Sequence, residues 1–325
     1  MKSLAMNHVR RQLFRLLLVL LPGIALAQIH PPQPLTIIVP FPPGGIADAS
    51  VRVIAARLAD NMGRPVLVDN RSGAGGQVGA AVARHAKPDG NTLFLANIGT
   101  HAINRSLYDK LSYDPVKDFE PVTELFSWTH VLVVPASSKA TSLESLIAEA
   151  RAKPGKLVFA SQGVGSGGHL LGEMFKSSAH IEVEHVPYRG SAQAMQDLLS
   201  GRIDFFFDGV GVLPFVKDGK VKALAVTDVK RLAQLPDVPT MGELGHPAVE
   251  MSAWFGIVAP SGTPQAVISK LNQDFVKAAK DPDVVKRLGD GVRIDTGSPD
   301  SFGAFMASET DRLGRIVKAS GARAD

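Results

Sequence analysis

Residues 35–59 read LTIIVPFPPGGIADASVRVIAARLA. The apolar run up to Pro40 suits a buried strand. Pro42, Pro43, Gly44 and Gly45 then interrupt regular structure. Val51, Ile54 and Leu58 recur at spacings of three and four, which predicts an amphipathic helix. Asp48 falls in the first turn of that helix, where an acidic side chain can cap free backbone N–H groups. Strand, glycine loop and helix in this order bare N–H donors at the positive end of a helix. Glycine lets a ligand approach that backbone closely, so the turn suits a small anion.

A second stretch has the same plan. SQGVGSGGHLLGEMF, residues 161–175, follows the apolar run KLVFA, and Gly163, Gly165 and Gly168 spell G-x-G-x-x-G. Alone, that spacing admits a dinucleotide, a smaller anion or a bare turn. Glu182 and Glu184 stand at a suitable distance for a ribose contact, but an exported chain meets little dinucleotide. Two such cradles, if each belongs to a different lobe, would grip one anion from both sides.

Export is read from the first 27 residues. MKSLAMNHVRRQLFR carries Lys2, Arg10, Arg11 and Arg15 and no acid, LLLVLLPGIAL is the apolar core, and Ala25-Leu26-Ala27 ends it. This is the layout of a cleavable signal peptide, too short to span a bilayer. The chain has 35 Lys and Arg against 31 Asp and Glu, and the leader takes four of the bases. The remainder is balanced, which leaves no charge excess to suggest a nucleic-acid surface built on clustered cations. There is no cysteine, so neither disulfides nor thiol chemistry are available. The remaining length exceeds one simple core and predicts two lobes.

Further along, LTIIVP (35–40), PVLVDN (65–70), TLFLAN (92–97), THVLVVP (129–135), LVFAS (157–161), EVEHVP (182–187), IDFFFD (203–208), KALAVT (222–227) and WFGIVAP (254–260) read as buried strands. Amphipathic segments separate many of them, an α/β pattern. Thr141 and Glu144 have the spacing of a capping box for the helix carrying Leu143, Leu146, Ile147 and Ala150. Pro264 and Ser298-Pro299 mark two further helix starts.

Catalytic signals are thin. Ser166 and His169 sit at helical spacing, not in a triad, and the nine histidines show no ligand pattern for a metal. Asp204 and Asp208 bracket FFF as a carboxylate pair or, more simply, as strand-end caps. A secreted hydrolase using Ser166 or these carboxylates is one alternative function; a sensor that presents its ligand to a membrane kinase is another.

IIVPFPPGGIAD, VDNRSGAGGQVGA, KPDGNTLFLA, THAINRSLY, YDPVKDFEPVT, LVFASQGVGSGGHL, HVPYRGSAQAMQDLLSGRIDFFFD, LPDVPTMGELG and WFGIVAPSGTP occur in that order. Together they resemble the Bug-type periplasmic solute receptors of the tripartite tricarboxylate transporter family. The resemblance implies an α/β, two-lobed periplasmic binding protein of type II (Venus flytrap), with a signal peptide over 1–27. It places one lobe at 28–128 plus 256–325 and the other at 129–255, with SWTHVLVV and SAWFGIVA as the crossing segments. It implies a monomeric transport receptor that is not an enzyme, needs no cofactor or metal, binds no nucleic acid, and hands a small carboxylate to membrane permease subunits. Carried over by motif, the ligand contacts would be Phe41, Gly45, Ile46, Ala47, Asp48, Thr100 and His101 in one lobe, and Ser161, Gly163, Gly165, Ser166, Tyr188 and Asp208 in the other. Ala47 stands where many members have Thr or Ser, while Val164 and Gly209 replace frequent Asn residues. These swaps point to a ligand with an apolar or aromatic part beyond its carboxylate.

Overall fold

Eleven strands among the described residues form two sheets, each with helices against it. The computed structural model describes residues 33–289, 291–320, 323 and 324; the leader over 1–27 lies outside them. The first sheet contains β1 (Leu35–Val39), β2 (Val66–Asn70), β3 (Thr92–Asn97), β4 (Phe119–Thr129), β10 (Ser252–Pro260) and β11 (Arg293–Ile294), in the order β11-β4-β10-β3-β1-β2. The strands β1, β2 and β3 run parallel, and β10 and β4 join antiparallel. The second sheet contains β5 (Val131–Pro135), β6 (Val158–Ser161), β7 (Glu184–Pro187), β8 (Phe205–Asp208) and β9 (Val221–Val226), in the order β7-β6-β8-β5-β9.

The first predicted helix forms as α1 (Ile46–Met62), burying Val51, Ile54 and Leu58 against Ile37, Val39 and Leu93. It is followed by α2 (Gln77–Arg84) and the short α3 (Asn104–Leu107). The second sheet carries α4 (Leu143–Ala152), α5 (Gly167–Ala179), α6 (Ser191–Leu199) and α7 (Leu213–Lys217). The chain then returns to the first sheet with α8 (Gln265–Ala279), α9 (Pro282–Leu288) and α10 (Pro299–Ser320).

The capping box of α4 sits one residue later than the sequence spacing indicates. Ser142 is the N-cap: its Oγ accepts from Ser145 N at 3.2 Å, and Ser145 Oγ accepts from Ser142 N at 3.0 Å. Serine serves at both ends because its short hydroxyl reaches back as Glu would. Pro264 is likewise the N-cap of α8 and not its first helical residue. Ser298 opens α10 as expected, its Oγ accepting from Ser301 N.

The long strand β4 is absent from the expectations above. It pairs with β10 along most of its length through two register shifts, and all five residues from Leu125 to Thr129 are buried. Only one residue, His130, separates β4 of the first sheet from β5 of the second. The polypeptide crosses between sheets there and returns at Ser252, where β10 begins.

Candidate functional site

The loops after β1, β2 and β3 and those after β6, β7 and β8 occupy the carboxyl ends of parallel strands. In open α/β sheets this is where ligands enter. The first sheet thus presents two glycine-rich strand-to-helix turns at the edge expected of a binding crevice, after β1 and after β2, and the second sheet presents one, after β6.

The first loop is anchored by Asp48. Its Oδ2 accepts from Gly44 N at 2.9 Å and from Arg52 Nε at 3.1 Å. Its Oδ1 accepts from Asn70 Nδ2 at 2.9 Å and from Arg52 Nε at 3.0 Å. Burial alone would raise the carboxyl pKa, but Arg52 and the Gly44 and Asn70 donors outweigh it and hold the pKa below the usual range. Asn70 also donates to Phe41 O. The Asp48 carboxylate therefore faces its own loop, and as an anion it is a poor partner for an acid. Its part is to fix the turn. The turn's own backbone is left accessible: Gly44 takes φ +90°, and a Cβ placed on Gly44 or Gly45 would meet nothing within 4 Å. Gly45 is the N-cap of α1 and brings no side chain to its N–H groups. Ile46 is half-buried and Ala47 is buried against the α1 core.

The second loop is also braced from behind. Ser161 Oγ lies 2.7 Å from His185 Nε2 and accepts from Gly163 N at 3.1 Å. Gly165 N donates to His169 Nδ1 at 3.3 Å, and the His169 and His185 rings stack at 4.2 Å. Burial pushes these rings down to about 4 and about 3 respectively, so both are neutral imidazoles at ordinary pH. Neutral His169 can then accept the Gly165 N–H. Ser166 is the N-cap of α5, its Oγ accepting from His169 N. That role occupies the hydroxyl and gives the α5 N-terminus its shape.

Close glycine contacts bring the two loops to one crevice. A Cβ at Gly76 would lie 3.2 Å from Pro40 Cβ and 2.5 Å from Thr100 Cγ2. A Cβ at Gly75 would lie 3.2 Å from Val164 O, and one at Gly99 2.7 Å from Gly165 O. The second loop therefore seats against the turns that follow β2 and β3, directly beside Pro40 of the first. Leu107 and Asn104 complete the seat: a Cβ at Gly165 would fall 3.1 Å from Leu107 Cδ2 and 2.8 Å from Asn104 Oδ1.

Three expected contacts point elsewhere. His101 lies in a π-helical turn, Gly99–Ile103, which turns its ring into the core among Phe94, Tyr113 and Phe119. Burial pushes its pKa down to about 3. Thr100 is buried beside it, with Oγ1 3.0 Å from His101 Nδ1. The Tyr188 hydroxyl donates to Asp197 at 2.8 Å, while its backbone adjoins the second turn, where a Cβ at Gly163 would fall 3.3 Å from Tyr188 O. Asp208 does stand at the crevice end of β8, accepting from Ser191 Oγ at 2.8 Å and Gln162 Nε2 at 2.7 Å. Burial pushes its pKa up to about 6. Asp204 accepts from Val158 N at the other end of the strand, so the two carboxylates do not act as a pair.

Several structural residues here escape sequence reasoning. Asn97 Oδ1 accepts from Gly99 N and Thr100 N, and Asn104 Nδ2 donates to Gly75 O. An Asn at a strand end was the available signal for the first. Two surface cavities, one bordered by Arg84 and Arg105 and the other by Glu124 and Arg293, lie apart from these glycine loops. Among the described residues no group of three or more His, Asp or Glu could hold a metal ion, and no helix is long and apolar enough to cross a membrane.

Comparison with known proteins gives this architecture its class. Residues 50–322 match the model of the tripartite tricarboxylate transporter family receptor, and the chain belongs to that family. BugT of Bordetella pertussis is 36% identical over 300 residues, covering 91% of this chain and 92% of that protein. A structure from R. palustris solved with adipate superposes with a TM-score of 0.85 at 34% identity, covering 90% of this chain and 99% of the other. MatC from Rhodopseudomonas palustris with bound malate gives 0.84 at 32% identity, covering 89% and 100%. The fold is thus that of the two-lobed periplasmic binding proteins, and the protein is a solute receptor and not an enzyme.

Proposed function

We propose that this receptor is exported to the periplasm by a cleavable signal peptide over 1–27 and closes its two lobes on one small carboxylate. It then delivers that ligand, as a monomer, to membrane permease subunits. The lobes are residues 28–129 plus 252–325 and residues 130–251, hinged at the two crossings beside His130 and Ser252. These bounds differ by one and four residues from 28–128 plus 256–325 and 129–255, because β4 runs to Thr129 and β10 starts at Ser252. The observation that carries this reading is the pair of glycine turns at one crevice, each opening a helix. Gly44 and Gly45 have open space above them, and the Gly163–Ser166 turn is braced from behind by Ser161, His169 and His185. The Gly44, Gly163, Gly165 and Ser166 N–H groups have partners within their own loops. The donors offered to a ligand are therefore the first N–H groups of α1 (Ile46, Ala47) and of α5 (Gly167, Gly168), which favour an anion without needing a cationic side chain. Relatives solved with adipate and malate support a carboxylate as that anion.

A neutral donor to a charged acceptor contributes about 1.5–3 kcal/mol. A few of these, less the cost of immobilisation, give a dissociation constant near the micromolar range, about −8 kcal/mol. The closed state is then the liganded state, because only closure lets both turns reach one molecule. Thermal-shift assays with carboxylic acids and their uncharged amides test the reading. Stabilisation by at least one acid and not by its amide is expected. Equal shifts for acid and amide would sink it.

A further inference from the structure

We infer that Trp128 and Gly209 set which carboxylate this receptor accepts, favouring a monoanion with a flat or extended apolar body over a compact dicarboxylate. The inference rests on the carboxylate-receptor reading above and specifies its ligand.

Gly209 is the starting point. Its backbone, φ −69° and ψ −177°, is open to any residue, so conformation does not require glycine there. Space does: a Cβ would fall 2.5 Å from Trp128 Nε1 and 2.8 Å from its Cδ1. The indole edge occupies the room that a side chain at 209 would need. On its other side Trp128 stacks on Phe255 with centroids 4.3 Å apart and planes at 26°. Phe255 in turn meets Phe41 edge-on at 6.1 Å. An aromatic row therefore runs from Gly209, next to Asp208 on the second lobe, to Phe41, three residues before Gly44 on the first. It joins the two jaws along their hinge side. Trp128 and Phe255 keep 7% and 4% exposure and Phe41 is half-buried, and the body of a ligand gripped by both jaws would seat against this narrow face.

Charge at the end of the row acts in the same direction. Asp208 is a buried carboxylate whose Oδ1 takes both the Ser191 and Gln162 donors. A second anionic group on the ligand would approach this charge where solvent screens it poorly, and like charges at short range repel strongly there. An apolar body would gain contact with the row instead. Stacking against aromatic rings adds about 0.5–1.5 kcal/mol beyond area burial, about a two- to tenfold preference, to which the repulsion at Asp208 adds.

Titration calorimetry of the purified protein with benzoate, phenylacetate, hexanoate, malate and adipate tests this. At least one of the three monoanions should bind about tenfold or more tighter than malate and adipate. Trp128→Leu should weaken that monoanion about tenfold and leave malate within about twofold. Gly209→Asn, which displaces the indole, should reduce the preference likewise. The wild-type panel reads the preference by itself, so a variant that fails to fold does not remove the test. Malate or adipate binding tighter than every monoanion would overturn the inference and leave the receptor reading intact. Equal losses for monoanion and malate in a folded Trp128→Leu protein would overturn it too. Binding of none of the five would overturn the inference, while the comparison of acids with their amides decides the carboxylate-receptor reading separately.

Discussion

Gly165→Ala is expected to weaken carboxylate binding by about a hundredfold or more in titration calorimetry, equivalent to about 2.7 kcal/mol. Two costs combine. Gly165 has φ +81°, a region that costs an L-residue about 1–2 kcal/mol. The added Cβ would also stand 2.8 Å from Asn104 Oδ1 and 3.1 Å from Leu107 Cδ2 on the facing lobe. Asn104 has little freedom to retreat: it is fully buried and its Nδ2 is committed to Gly75 O and Tyr113 OH. The second loop must therefore back away from its seat, and the jaws separate. Because the contact lies between lobes, each lobe should keep its own core, and the melting temperature of the unliganded protein should fall by only a few degrees. Unchanged affinity would show that this seat is not part of the binding state.

Asp48→Ala should destabilise the protein by about 2–4 kcal/mol in urea unfolding and weaken ligand binding about tenfold or more. The carboxylate is the common acceptor for Gly44 N–H, Arg52 and Asn70, and Asn70 also holds Phe41 O. Without it a backbone donor of the glycine turn and the Asn70 amide lose their partner together. Part of the Arg52 interaction is recovered by solvent, since that side chain is 47% exposed. Asp48→Asn keeps an acceptor oxygen and loses the charge, so it should lie between wild type and alanine. If Asp48 touched the ligand directly, removing its negative charge would strengthen the binding of an acid. The sign of the binding change therefore separates an anchor from a contact.

Much of this arrangement is legible in the sequence because the parallel strands are short, uniformly apolar and punctuated by Gly and Pro. TLFLAN is a strand over the same residues that the apolar run marks, and the α1 face is read directly from Val51, Ile54 and Leu58. The strand β4 is hidden because Pro121, Glu120 and Glu124 break its apolar run and its second half is buried on both faces, so no alternation survives. At two residues, β11 is too short to leave a pattern.

Within the site, glycine positions are informative because backbone geometry and close approach are properties of the residue itself. The direction of a polar side chain depends on partners far away in sequence. Asp48 reads as a ligand contact until Asn70 is seen to claim it. The family resemblance makes His101 a crevice residue, but a π-helical turn rotates it into an aromatic cluster. Trp128 and Gly209 are eighty-one positions apart, and nothing in either segment alone announces that one makes room for the other.

The central claim is that one carboxylate is held by backbone donors of both lobes at once. Hydrogen exchange of backbone amides, followed with and without a saturating carboxylate, tests it most directly. Exchange should slow in both residues 44–47 and residues 163–168 at the same ligand concentration. Protection of one turn with no change in the other would contradict it.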